Sequence, residues 1–165
     1  MIYPEGNLIG EYLQEGFVDN LKQVGVLLTV EAKPFAELLT TYYRQVPRDC
    51  DMIYLASNFT EVFDPASTYA LDDIHQRSTN YSGLLDETLY SLAVDMRTTE
   101  PGDVVSYTEK WVAFEEYWTE VLPAIPVYSN VYFDFYTASL QNYKISSTTT
   151  WSRAIVGAYL SDKAD

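Results

Sequence analysis

At 165 residues the chain is long enough for one domain with a sizeable core, and no length argument asks for two. Its 24 acidic against 10 basic residues give a net charge of -14, which repels phosphate backbones and anionic lipid surfaces and excludes nucleic acid as an expected partner. The 15 Tyr, 7 Phe and 3 Trp favour recognition surfaces over a plain aliphatic core, and a single Cys50 permits no internal disulfide.

The opening residues lack the basic and apolar regions of a signal peptide. No later run approaches the roughly 20 apolar residues of a membrane helix. Leu8, Ile9, Tyr12, Leu13, Phe17, Leu21 and Val24 mark one apolar face, predicting a helix from about Asn7 to Val24 that Gly25 stops. The run Val26 to Glu31 then reads as a strand, the helix, glycine and strand sequence of an α/β unit.

Pro34 suits the first turn of a second helix, whose stripe is Phe35, Leu38, Leu39, Tyr42 and Tyr43 and which Pro47 closes. Asp51 to Ala56 is a second strand. Two strands joined through a helix are expected to be parallel with a right-handed crossover, placing ligands where the chain leaves the carboxyl end of the second. That exit is the loop Ser57 to Ser82, long for a compact domain and rich in aromatic and acidic side chains, with Phe59, Glu61, Phe63 and Asp64 among them.

Asp86 is a candidate N-cap for a helix burying Leu89, Leu92, Ala93 and Met96. A longer helix is expected to begin at Thr99 and Pro101 and to run through Trp111, Phe114 and Trp118 to Pro123. Pro123 and Pro126 lack backbone donors and push their predecessors toward extended geometry, so Ala124 to Ser129 reads as a strand. A second, Val131 to Tyr136, alternates Val131, Phe133 and Phe135 with Tyr132, Asp134 and Tyr136. Leu140 to Ile145 is another extended piece, and Thr148 to Thr150 caps a last helix carrying Trp151, Ala154, Ile155, Ala158 and Tyr159.

Catalysis has little support, because no nucleophile elbow, phosphate-cradling glycine loop or Cys-x-x-Cys accompanies the lone His75, and an enzyme is not expected. Asp72, Asp73 and His75 form the one grouping with metal-ligand chemistry, and an acidic loop of this kind is ordinarily solvated, so no metal or cofactor is expected. Asn58-Phe59-Thr60 and Asn80-Tyr81-Ser82 fit the N-glycosylation pattern at a frequency that chance supplies.

Leu122-Pro123-Ala124-Ile125-Pro126-Val127-Tyr128, the aromatic strand after it, and Leu140-Gln141-Asn142-Tyr143 together resemble the C-terminal segment of the family-5 extracellular solute-binding proteins, receptors of ABC importers for peptides and nickel. Lys22-Gln23-Val24-Gly25-Val26 with Phe35, the Asp51-Met52 pair and the Asp64-Pro65 pair are similar to that family in the same order, although Ser57 and Asn58 stand where its loop has a tryptophan. The resemblance implies an α/β, periplasmic-binding-protein-like lobe with a mixed sheet flanked by helices. Residues 1-122 would form a second-lobe segment and 123-165 a return toward the first lobe. It implies a short peptide ligand held by Asn58, Phe59, Glu61 and Asp64, with Glu61 or Asp64 taking the peptide amine, and delivery to ABC permease subunits outside the cytoplasmic membrane. An export signal and a lipid-anchoring cysteine would then lie in an upstream segment. The alternative is a stand-alone acidic α/β interaction domain using its aromatic loop, and strands lacking neighbours predict dimerisation by strand exchange.

Overall fold

Strand β1, Ile2–Pro4, is the element on which the first half of the chain is assembled. The computed structural model describes residues 1-57, 63-72, 78-146 and 148-161. On one side β1 pairs in parallel with β2, Glu31–Lys33, in the register Ile2 to Glu31, Tyr3 to Ala32 and Pro4 to Lys33. On its other side Ile2 bridges Ile53, also in parallel, through Ile2 N to Met52 O at 3.0 Å and Tyr54 N to Ile2 O at 2.9 Å. The segment at Ile53 and β2 are therefore both parallel to β1 and flank it, with β1 standing between the two extended pieces that the sequence pattern identified. Sequence reasoning missed β1, because three residues ahead of Glu5 and Gly6 offer no periodicity to read.

Helix α1, Leu8–Gln23, connects β1 to β2. Asn7 caps it by accepting a hydrogen bond from Gly10 N at 2.9 Å. At the other end Gly25 takes φ +82°, Gly25 N bonds Lys22 O at 3.1 Å and Val26 N bonds Leu21 O at 2.9 Å, the paired closure that a left-handed glycine permits. The helix and its glycine stop agree with the sequence pattern. The strand expected at Val26 to Glu31 does not. Val26 N is already spent on the helix end, Leu27 is exposed, and the ladder begins only at Glu31, with Glu31 N on Met1 O at 3.0 Å and Glu5 N on Lys33 O at 2.8 Å. Hydrogen bonding to β1, and not the apolar run, sets the register.

Pro34 precedes helix α2, Phe35–Tyr42, which buries Leu38 completely and turns Thr41 inward while Phe35 stays 57% exposed. The helix closes at Tyr43 with Arg44 at φ +57°, before Pro47. The strand expected over Asp51 to Ala56 contracts to its bridge at Ile53.

Among the described residues, three further helices belong to this unit: α3, Pro65–Thr68; α4, Glu87–Arg97; and α5, Val104–Val121. Their shared core is Ala66, Tyr69, Leu89, Ala93, Met96 and Phe114, with Trp111, Tyr117 and Trp118 packed against it. Asp86 caps α4 by accepting from Leu89 N at 2.8 Å, and its other oxygen accepts from Tyr117 OH of α5 at 3.2 Å. The long helix starts later than the sequence suggested. Pro101 lies in the preceding turn, Gly102 has φ +93°, and Asp103 is the cap, accepting from Ser106 N at 3.1 Å. Helix α5 ends with Leu122 left-handed at φ +48°, immediately before Pro123.

The chain divides into two compact units, Met1–Ala124 and Ile125–Asp165. In the second, β3 (Leu140–Gln141) pairs antiparallel with β4 (Tyr159–Leu160), and a short helix α6, Trp151–Ala154, runs into a 3-10 turn at Ile155–Gly157. The helix expected to reach Tyr159 therefore stops at Ala154, because Tyr159 is taken into the ladder with Gln141, and the extended piece expected over Leu140 to Ile145 contracts to the two residues that have a partner. Asn142 Nδ2 donates to Gly157 O at 2.8 Å and Ala154 is buried. The strands expected at Ala124 to Ser129 and Val131 to Tyr136 are absent. Residues 124-136 are neither helical nor in a ladder, and Val131, Tyr132, Phe133 and Phe135 are exposed, Phe135 to 95%. Prolines keep the stretch from coiling, as expected, but no neighbouring strand among the described residues takes up its donors and acceptors.

Candidate functional site

The stretch from Tyr54 to Leu84 follows the carboxyl end of the Ile53 segment, the place where open α/β sheets hold ligands. Of the expected site residues, Asn58, Phe59 and Glu61 lie outside the described residues, as do Asp73 and His75 of the possible metal grouping. Asp64 is described. Its Oδ1 accepts from Arg97 Nε at 3.0 Å, and its Oδ2 accepts from Arg97 Nη2 at 2.5 Å and from Ser67 Oγ at 2.9 Å. This is a two-pronged guanidinium pair that ties the start of α3 to the end of α4. The Arg97 hydrogen bond, followed by that from Ser67, holds the Asp64 carboxyl below its ordinary range despite partial burial. A ligand amine at Asp64 would have to displace a charged partner already seated in ideal geometry.

Beside this pair lies a groove of about 580 Å³. Its walls are Phe63 and Pro65 on one side and Met96, Pro101, Val104 and Tyr107 on the other, with the Asp64 and Arg97 pair between them. Phe63 meets Trp111 edge to face at 5.3 Å between ring centres, and Trp111 stacks with Tyr107 at 6.4 Å. Phe59, the aromatic expected to meet the ligand, lies outside the described residues, whereas Phe63 holds the loop onto α5. Tyr69 does the same from below, accepting a hydrogen bond from Trp118 Nε1 at 2.7 Å.

Two residues that sequence reasoning passed over fix the far end of the loop. Asn80 is completely buried and uses its whole amide. Its Nδ2 donates to Ala70 O at 3.1 Å and Leu84 O at 2.8 Å, while its Oδ1 accepts from Ser82 Oγ at 2.8 Å and Gly83 N at 3.1 Å. Both donor positions and both lone pairs are taken. The glycosylation pattern at Asn80 is thus a structural clasp in the folded chain, with no nitrogen free to carry a glycan.

Arg48 is the second. Its Nε donates to Thr41 O at 3.3 Å, its Nη1 to Ser82 O at 2.9 Å, and its Nη2 to both Tyr42 O at 2.8 Å and Tyr81 O. One guanidinium therefore joins the carbonyls that end α2 to those of the distant turn. Burial, then the neighbouring charge of Arg44, lowers the Arg48 guanidinium from its ordinary range, where it is still charged. Tyr42, Tyr43 and Tyr81 close over this junction with ring centres 5.0 to 5.2 Å apart. Nothing at Pro47-Arg48-Asp49 signals the role in sequence, since a basic residue beside an acid after a proline reads as an exposed turn.

Among the described residues no group of His, Cys, Asp and Glu could hold a metal ion, and no helix is long and apolar enough to cross a membrane. Compared with protein-family models, with curated proteins and with solved structures, the chain matches none.

Proposed function

We propose that this chain is the C-terminal portion of a solute-binding receptor of an ABC importer, which captures short peptides outside the cytoplasmic membrane and presents them to the permease. The observation that carries the reading is the strand order: β2, β1 and the Ile53 segment lie side by side in parallel with the first in the middle. Connections from such an order diverge above the middle strand and open a crevice at the carboxyl ends. At those ends lie the turn Glu5-Gly6-Asn7 and residues Tyr54 to Ser57, after which the sequence continues into the loop of Asn58, Phe59 and Glu61. The resemblance in sequence assigns the peptide to the same loop. Because Arg97 occupies Asp64, Glu61 is the carboxylate for the peptide amine, with Phe59 packing on the first side chain and Asn58 bonding the main chain. Closure of a partner lobe over the peptide then selects the form that the permease engages.

The test is a thermal unfolding series on the whole receptor. Mixed tri- and tetrapeptides with free amino termini should raise Tm, since a ligand at about 100 times its Kd adds roughly 2.7 kcal/mol. Acetylated peptides and the Glu61→Gln variant should give no shift, whereas Asp64→Asn should respond like the parent. Indifference to peptides and to nickel alike, or an undiminished response from Glu61→Gln, would overturn the reading. A second reading, a free-standing acidic interaction domain, draws on the bare aromatic stretch after Pro126.

A further inference from the structure

The stretch after α5 is the strongest anomaly in a chain of this charge. From Val127 to Phe135 it exposes Val127 at 51%, Tyr128 at 58%, Val131 at 74%, Tyr132 at 76%, Phe133 at 76% and Phe135 at 95%. Scattered apolar residues are normal on a surface, but a contiguous run of this kind marks an interaction site. Residues 124-136 also carry no backbone hydrogen bond of a ladder among the described residues. Both side chains and main chain are thus open to a partner that supplies an extended edge.

We propose that the partner is a second copy of the same stretch, paired antiparallel about a two-fold axis through Phe133. Three observations select it. First, Asp134 is the one charged residue between Leu122 and Tyr143, so the repulsion expected of a chain at -14 is locally absent. Second, alternation makes one register self-complementary. Centred on Phe133, the pairing sets Phe133 against Phe133 and Val131 against Phe135 on one face, and Asp134 against Tyr132 on the other. Aromatic and β-branched residues so placed are favourable cross-strand neighbours. A register centred on Asp134 would set the two carboxylates against each other, and one centred on Tyr132 would waste Phe135 on Ser129. Third, the pairing face is uncovered. Val131, Phe133 and Phe135 are 74, 76 and 95% exposed, so the cross-strand contacts on that face displace no existing packing.

Asp134 already accepts a hydrogen bond from Tyr143 OH at 3.3 Å, and Tyr143 meets Tyr136 edge to face at 5.2 Å between ring centres. The acid is thereby held on the Tyr132 and Tyr136 face, away from Phe133. The receptor reading sends the same residues toward a first lobe, so the pairing is proposed for this chain as it stands, and sedimentation of the chain and the peptide-dependent Tm of the receptor can fail separately.

A two-stranded ribbon by itself is marginal in water, so the association should be weak, and sedimentation velocity from about 1 to about 500 µM is the measurement. The expected result is a concentration-dependent shift from monomer to dimer, which Phe133→Lys weakens at least tenfold by opposing two ammonium groups at the axis. Phe133 is mostly exposed, and unchanged circular dichroism in this variant would separate loss of pairing from loss of fold. Register is read by oxidation in a Cys50→Ser background. Residues opposed in an antiparallel pair have Cα atoms about 4.5 to 5.5 Å apart, within disulfide range. Phe133→Cys should crosslink readily, and Phe135→Cys, displaced four residues along from its copy, should not. A monomer throughout the range, a dimer untouched by Phe133→Lys, or equal crosslinking at both positions would overturn the proposal.

Discussion

Gly10 lies against the ring of Tyr3 so closely that a Cβ added to it would stand 2.0 Å from Tyr3 Cδ2. The contact seats the first turn of α1 on β1, and Tyr3 OH reaches on to Gln14 Oε1 at 3.3 Å to hold the next turn. A residue with no side chain at one helical position thus fixes how the crossover packs on the central strand.

Gly10→Ala should therefore destabilise the protein by about 1 to 3 kcal/mol, the usual cost of forcing extra atoms into a packed contact. Gly16, in the same helix, has nothing within 4 Å of an added Cβ. There Gly16→Ala should stabilise by about 0.5 to 1 kcal/mol through helix propensity and a less flexible unfolded chain. Urea midpoints of the two variants, moving in opposite directions, are the measurement. A Gly10→Ala midpoint at or above the parent would mean that α1 shifts freely on β1.

Asn80 offers a sharper case, because four hydrogen bonds and complete burial converge on one amide. Asn80→Ala should cost about 3 kcal/mol, since it leaves the Ala70 and Leu84 carbonyls buried without donors. Asn80→Asp, equal in shape, should be at least as damaging at neutral pH. It turns acceptors and a charge toward those two carbonyls, and its deficit should shrink as the pH falls and the carboxyl takes up a proton. Chemical denaturation of both variants at pH 7 and pH 4 tests this pair of outcomes.

Where structure was legible in the sequence, a local signal coincided with a local cause. The helix after Asn7, the stop at Gly25 and the cap at Asp86 are each written within a few residues and appear where expected, although Leu8, Tyr12 and Val24 of the expected stripe are exposed because, among the described residues, little packs over α1 beyond Tyr3. The break after α5 is of the same kind, with Leu122 left-handed before Pro123. Strands were not legible, because their existence depends on partners far along the chain. Val26 to Glu31 has strand composition but loses its first donor to the end of α1, and Val131 to Tyr136 alternates faultlessly with no edge beside it. The groups organising the loop were invisible for a related reason. Arg48, Asn80 and Arg97 act on carbonyls or carboxylates 33, 10 and 33 residues away, and no spacing rule connects them.

Arg48 gives a test of that long-range bracing. Lysine keeps the charge but offers its donors from one point, so it cannot reach both the Thr41 and Tyr42 carbonyls and those of Tyr81 and Ser82. Arg48→Lys should lower stability by about 1 to 2 kcal/mol, and Arg48→Ala by about 2 to 3 kcal/mol, at an unchanged denaturant slope. Hydrogen exchange should rise in parallel at Gly83 and Leu84, whose amides bond within the turn that Arg48 holds. Equal stability of the lysine variant and the parent would show that the four carbonyls are satisfied by solvent as readily as by the guanidinium.

The Asp64 and Arg97 pair makes a prediction in pH. Arg97 draws the Asp64 carboxyl below its ordinary value, so the folded chain binds that proton less readily than the unfolded chain does. A carboxyl depressed on folding contributes stability above its unfolded pKa of about 3.9 and loses it as the pH falls through the lower folded value. With side chains 39% and 45% exposed, solvent screens the pair, and its worth should stay at or below about 1 kcal/mol. The parent should exceed Asp64→Asn by that amount at pH 6 to 7, with the margin narrowing below about pH 4 and shrinking in added salt. Taking the difference between parent and variant cancels the many other carboxylates that titrate over the same range. A margin that stays constant down to about pH 2 would assign the effect to packing and not to the ionised carboxylate, and would free Arg97 from the role of holding α3 against α4.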